Sequence, residues 1–161
     1  MMKPRIYVET SVISYLAARP SRDALTAFRQ EQTRRLVEKS AGILSLESSE
    51  LVRSEISSGD ANAANRRLEI FITLAMLPLH EEISDFGKRL MSEGLVPRSE
   101  PEDAAHIAQA TLTGADYIAT WNFAHMVGPQ TKYRLVQSIE RWGYKAPLLA
   151  TPEEILEGVL L

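Results

Sequence analysis

The sequence predicts an α/β fold: a mostly parallel central sheet of about five strands flanked by helices on both faces, as a single domain over residues 1–161. Three observations carry this. Short apolar runs of strand length alternate with longer stretches of helical spacing along the chain. Strands alternating with helices need crossover connections, and these give parallel pairing. The 161 residues, 45% hydrophobic and 24% charged, suffice for one real core and show no repeat, low-complexity tract or linker.

The elements follow in order. Arg5-Ile6-Tyr7-Val8 reads as a buried strand ending on Glu9. A short helix follows from Val12, with Thr10 or Ser11 as its cap, and Arg19-Pro20-Ser21 breaks it. Residues 22–39 read as a helix, with Leu25, Phe28, Leu36 and Val37 at helical spacing. Gly42 stops it, and the "GILSL" run at 42–46 is the second strand. Ser48 or Ser49 caps a short helix through Ile56, and Asp60 caps the next, which runs to about Ala75. Residues 76–79 are a weak third strand. Glu81 to Glu93 is a helix with Ile83, Phe86 and Leu90 inward and Gly94 as its C′ residue.

Ser99 to Asp103 starts a helix with Pro101 in its first turn. That helix is rich in small residues, so it can approach a sheet closely, and Gly114 ends it. Residues 116–120 are the fourth strand, 130–142 a helix closed by Gly143, and 147–150 a short fifth strand. Thr151 with Glu154 three residues later is a capping box that opens the last helix.

Composition excludes several classes. No apolar run approaches the ~18 residues of a membrane span, so no membrane partner is expected. Lys3-Pro4-Arg5 passes directly into a strand with no apolar stretch before it, so no signal peptide is expected either. The absence of cysteine removes disulfides, thiolate zinc sites and cysteine nucleophiles, and fits a cytoplasmic location. A net charge of -3 gives no overall attraction to nucleic acid. Binding to a polyanion then needs a local basic patch or metal ions held by acids.

The acids are the informative residues. Parallel sheets bind ligands beyond the carboxyl ends of their strands, and Glu9 lies at such an end. One reading makes it the point where the strand meets water; the other makes it a wall of an acidic site. Glu55 falls four residues after Leu51 and three after Val52, within the apolar stripe of its helix. A carboxylate there is costly unless it is paired or binds a cation. Glu47 and Glu50 fall on other faces and read as solvated. Asp103 stands four before Ile107 and borders an inward stripe, although a first-turn acid also favours the helix dipole. Thr120, Asn122 and His125 follow the fourth strand; Asn122 also suits a turn, and His125 a surface position. If Glu9, Glu55, Asp103 and Asn122 converge, their oxygens suit Mg²⁺ or Mn²⁺ rather than zinc, and such a site points to phosphodiester chemistry. Ser11, Ser14 and Ser49 have no histidine placed near them by the sequence, so no side-chain nucleophile is indicated.

These residues resemble the PIN-domain family, metal-dependent ribonucleases that include VapC-type toxins of toxin–antitoxin pairs. Four stretches carry the resemblance in order: "IYVETSVISYL", "SELVRSEISSGD", "EDAAHIAQA" and "ADYIATWNFAHM". It implies Glu9, Glu55, Asp103 and Asn122 as catalytic and metal-binding residues around Mg²⁺ or Mn²⁺. Glu9 and Asn122 depart from the aspartates common at those positions; Asn122 brings a neutral oxygen. The resemblance also implies that Thr10, Ser11 and Thr120 orient the ligands, with His125 as a possible substrate contact. Arg53, Arg66, Arg67, Lys132, Arg134 and Arg141 are candidate backbone contacts or ordinary solvated residues. The implied partners are RNA, a cognate antitoxin and a second copy of the chain. Two rivals stand beside this reading. One is a PIN-like module that binds nucleic acid or protein without cutting, supported by Asn122. The other is a phosphoacceptor α/β domain, which lacks its aspartate at a strand end and its nearby lysine here.

Overall fold

A computed structural model describes residues 2–122 and 129–160. Its five strands form one sheet: β1 (Arg5–Val8), β2 (Ser45–Ser49), β3 (Ala75–Leu77), β4 (Tyr117–Ala119) and β5 (Leu148–Ala150). The order is β3-β2-β1-β4-β5, and every neighbouring pair is parallel. Eight helices are described: α1 (Thr10–Ala17), α2 (Ala24–Ser40), α3 (Glu50–Ile56), α4 (Ala61–Phe71), α5 (Ile83–Ser92), α6 (Pro101–Leu112), α7 (Pro129–Arg141) and α8 (Pro152–Leu160). The α/β expectation is borne out, and one continuous apolar core joins residues from Ile6 to Leu156.

The chain builds outward from β1 to β3, then returns to the other side of β1 for β4 and β5. The strand order therefore reverses between β1 and β4, where open parallel sheets form their ligand crevice. The first strand is central because its side chains allow it: Ile6, Tyr7 and Val8 are buried, and both neighbours cover them. The small residues of α6 allow close contact with a neighbouring helix, where a close approach to the sheet was expected. Ala104 is the nearest neighbour of Gly87 on α5, and Ala108 and Ala110 are fully buried. Buried Gln109 ties this helix to the end of β3 by accepting from the His80 backbone N–H (2.9 Å) and donating to the Pro78 carbonyl (2.9 Å). The capping box of the last helix is present reciprocally: the Thr151 N–H donates to Glu154 (3.1 Å), and the Glu154 N–H donates to the Thr151 hydroxyl (3.2 Å).

Several expectations need correction. The second strand is Ser45–Ser49, three residues later than the apolar run suggested. Its polar residues are held by tertiary partners instead of by burial of apolar surface. The Ser48 hydroxyl donates to the Val8 carbonyl (3.1 Å), and Ser49 meets Tyr7 (2.8 Å). Glu47 is therefore buried, not solvated, and takes two hydrogen bonds from Arg5 (2.8 and 3.1 Å). Leu25 and Phe28 share helical spacing with Leu36 but are exposed; the buried face of α2 carries Gln30, Thr33 and Leu36. The fourth helix ends at Phe71, short of Ala75. Neither Thr10 nor Ser11 caps α1, because Glu9 does.

Candidate active site

Glu9 leaves β1 in extended conformation and becomes the N-cap of α1. Its Oε1 accepts the Ser11 N–H (3.0 Å), which satisfies a free amide of the first helical turn. Its Oε2 accepts from the Ser11 hydroxyl (2.5 Å) and from the Thr120 hydroxyl (2.6 Å). The last bond spans the switch between β1 and β4. Each supporting hydroxyl is itself fixed. Ser11 Oγ accepts the Trp121 N–H (2.9 Å), and Thr120 Oγ1 accepts the Asn122 N–H (3.0 Å). Trp121 is anchored in turn by an indole N–H bond to Thr33 (2.9 Å). A carboxylate offers about four lone-pair sites. Three are used here, which leaves room on Oε1 for one further partner.

Glu55 projects from α3, and its carboxylate pairs with Nε2 of His106 on α6. Burial works to raise the Glu55 pKa. The hydrogen bond and charge of His106 outweigh it and hold the carboxyl below its usual range. Thr10, whose hydroxyl is buried without a hydrogen-bond partner, stands near enough to add to that lowering. Thr10 thus belongs beside Glu55, whereas Ser11 is the residue that supports Glu9.

Asp103 sits in the first turn of α6, one turn before His106. It is half-buried, and its Oδ2 is wholly enclosed with no hydrogen-bond partner. Its pKa is pushed up to about 7. Loss of solvent is the largest cause, followed by the charge of Glu100; His106 opposes the rise, and Glu9 and Glu55 add to it. Glu9, Glu55 and Asp103 therefore share one region of negative potential, built from β1, α3 and α6.

Asn122 is exposed two residues beyond Thr120. His125 and Phe123 lie outside the described residues. Sequence reasoning missed His106 and Tyr7. His106 is 1% exposed, and its Nδ1 lies 2.8 Å from the Tyr7 hydroxyl. The available signal was spacing: His106 follows Asp103 by three, so both fall on one helix face. Of the basic candidates, Arg53 pairs with Glu50 (3.3 Å), and Arg67 donates to the carbonyls of Ile56 (2.9 Å) and Ser58 (2.7 Å).

The donor chemistry fits a hard divalent cation. An enclosed carboxylate oxygen lacks a partner, neighbouring acids raise its proton affinity, and a cation relieves both conditions. The side chains are not drawn together around one point: among the described residues, no three of His, Cys, Asp and Glu are grouped to hold an ion. No described helix is long and apolar enough to cross a membrane.

No protein-family model matches the chain, and no curated protein sequence matches it. Solved structures do. A chain of the VapBC2 complex of Rickettsia felis, bound to a DNA fragment from its promoter, is similar with a TM-score of 0.58 at 14% identity. That match covers 91% of this chain and 98% of the other. Mycobacterium tuberculosis VapC20, described as a toxin that cleaves the sarcin–ricin loop, matches with a TM-score of 0.54 at 16% identity. It covers 75% of this chain and 94% of that one. The chain shares the fold of these VapC toxins, as the PIN-domain resemblance implied.

Proposed function

We propose that the protein is a Mg²⁺- or Mn²⁺-dependent ribonuclease and the toxin of a toxin–antitoxin pair. The observation that carries this is Asp103: an enclosed, unpartnered oxygen among acids at the topological switch point. The shared fold with two VapC structures supports the class, and the VapC20 description supports RNA as substrate. The same comparison supports an antitoxin partner. Pairing of two copies and a cytoplasmic location belong to the proposal as consequences of the resemblance.

Glu9, Glu55 and Asp103 are the residues that would hold the ion, with Asn122 as a neutral donor. Bound there, it supplies Lewis acidity toward the phosphodiester and acidifies water. The chain's own residues do the rest. Ser11 and Thr120 keep Glu9 in one rotamer, so its open site faces a fixed direction. Asp103 offers its unpartnered oxygen without having to break an existing bond. The acids attract the cations that an acidic protein needs before it can approach an acidic polymer.

The second reading is a PIN-like module that binds without cutting, and one observation favours it: the absence of a three-residue metal group among the described residues. Cleavage of mixed-sequence single-stranded RNA decides between them. Purified protein is assayed with Mn²⁺, with Mg²⁺ and with EDTA, beside Asp103→Asn prepared identically. The proposal expects metal-dependent cutting that falls by about 10²–10³-fold in the variant, the scale for loss of one charge-stabilising group. Equal cutting by both proteins, or no cutting by either across the mixed pool, contradicts it.

A further inference from the structure

A buried polar chain joins the segments that carry the acids. Tyr7 in β1 meets Ser49 at the end of β2 (2.8 Å) and Nδ1 of His106 in α6 (2.8 Å), and Nε2 of His106 meets Glu55 in α3. Tyr7 and Ser49 are fully enclosed, and His106 is nearly so. The direction of the chain follows from its anionic end. An ionised Glu55 only accepts, so Nε2 donates to it. Nδ1 lies at hydrogen-bond distance from the Tyr7 hydroxyl, which also meets Ser49, so the ring is held at both of its nitrogens. Ser49 stands at the N-cap of α3 but makes no capping bond with its side chain. Its hydroxyl serves Tyr7 instead, so local helix stability is given up for this tertiary chain.

We infer that Tyr7 and His106 are positioning residues that hold one oxygen of Glu55 so that the other is presented to a divalent cation. This rests on the reading under Proposed function. Glu55 is on a helix of seven residues and its side chain is 35% exposed. Packing alone does not restrict such a side chain, whereas an anchored imidazole does. Carboxylate ligands are commonly fixed in this way through the oxygen that does not bind the metal.

The test measures Mn²⁺ binding by electron paramagnetic resonance for wild type, Tyr7→Phe, His106→Leu and His106→Gln, each confirmed folded by circular dichroism. His106→Leu is expected to weaken binding by about 10–100-fold. Tyr7→Phe keeps the ring and weakens it less. His106→Gln restores a donor toward Glu55 and recovers most of the affinity, which a purely structural role does not explain. Unchanged or tighter Mn²⁺ binding by folded His106→Leu overturns the inference, as does a His106→Gln variant that binds no better than His106→Leu. A wild type that takes up no Mn²⁺ overturns instead the reading on which it rests.

Discussion

Toward the amino end of the sheet, Glu47 and Asp116 each have a cation beside them. Glu47 is held by the Arg5 guanidinium, which also donates to the carbonyls of Thr113 (2.7 Å) and Gly114 (3.2 Å). Asp116 accepts the Arg5 backbone N–H (2.8 Å) and pairs with Lys145 (2.8 Å). Burial works to raise the Asp116 pKa, but these bonds and charges hold it below its usual range. At the carboxyl end, Glu9 is supported by uncharged hydroxyls and Asp103 has an oxygen with no partner. Asp116 thus stabilises the fold in its charged form, whereas a charged Asp103 costs stability. A fold tolerates an uncompensated acid where something else is meant to neutralise it, and this supports the proposed site at the carboxyl end.

The largest effect that separates the two ends is expected from Glu47→Gln. It leaves the Arg5 charge facing a neutral group inside the fold. Arg5 is partly exposed, so the loss should lie at or below the ~3 kcal/mol lower end for breaking a buried pair, read by urea unfolding. A loss below about 0.5 kcal/mol removes the claim that this end is a stabilising one.

The difference sharpens with pH. The Asp103 pKa is raised in the fold, so the unfolded chain releases this proton first as pH rises. Stability from this group is fully present below about 4 and is lost between there and about 7. Asp103→Asn should abolish that decline and exceed wild type in stability at pH 8, with the size of the gain reduced by the solvent that reaches this half-buried group. Melting curves from pH 5 to 8 check it, and parallel curves for the two proteins break the argument. Asp116 has the opposite sign: its contribution is present above its ordinary pKa and is lost as pH falls below it. Lys145→Ala should have the smallest effect, no more than about 1 kcal/mol, because that pair is open to solvent.

The contrast was half legible in the sequence. Glu9 was visible because a buried strand ended on a carboxylate, and Glu55 because it interrupted an apolar stripe. The helices were found wherever caps and glycines punctuated them; Gly94 and Gly114 do adopt positive φ. The amino end was not legible. Placing the second strand on "GILSL" followed apolar content, but the paired strand "SLESS" is held by polar partners far away in sequence. That shift turned Glu47 from a strand residue facing Arg5 into a supposed solvated residue. His106 was hidden for the same reason. Its partners, Tyr7 and Glu55, are 99 and 51 residues distant, and no local pattern reports them.

The central claim is that the carboxyl end is an incomplete charge cluster that a divalent cation completes. Thermal melting at pH 8 with and without Mn²⁺, for wild type and Asp103→Asn, tests it most directly. At an ion concentration about 100 times the dissociation constant, wild type should gain roughly 5–10 °C, and the variant much less. An equal shift in both proteins, or none in wild type, contradicts the account.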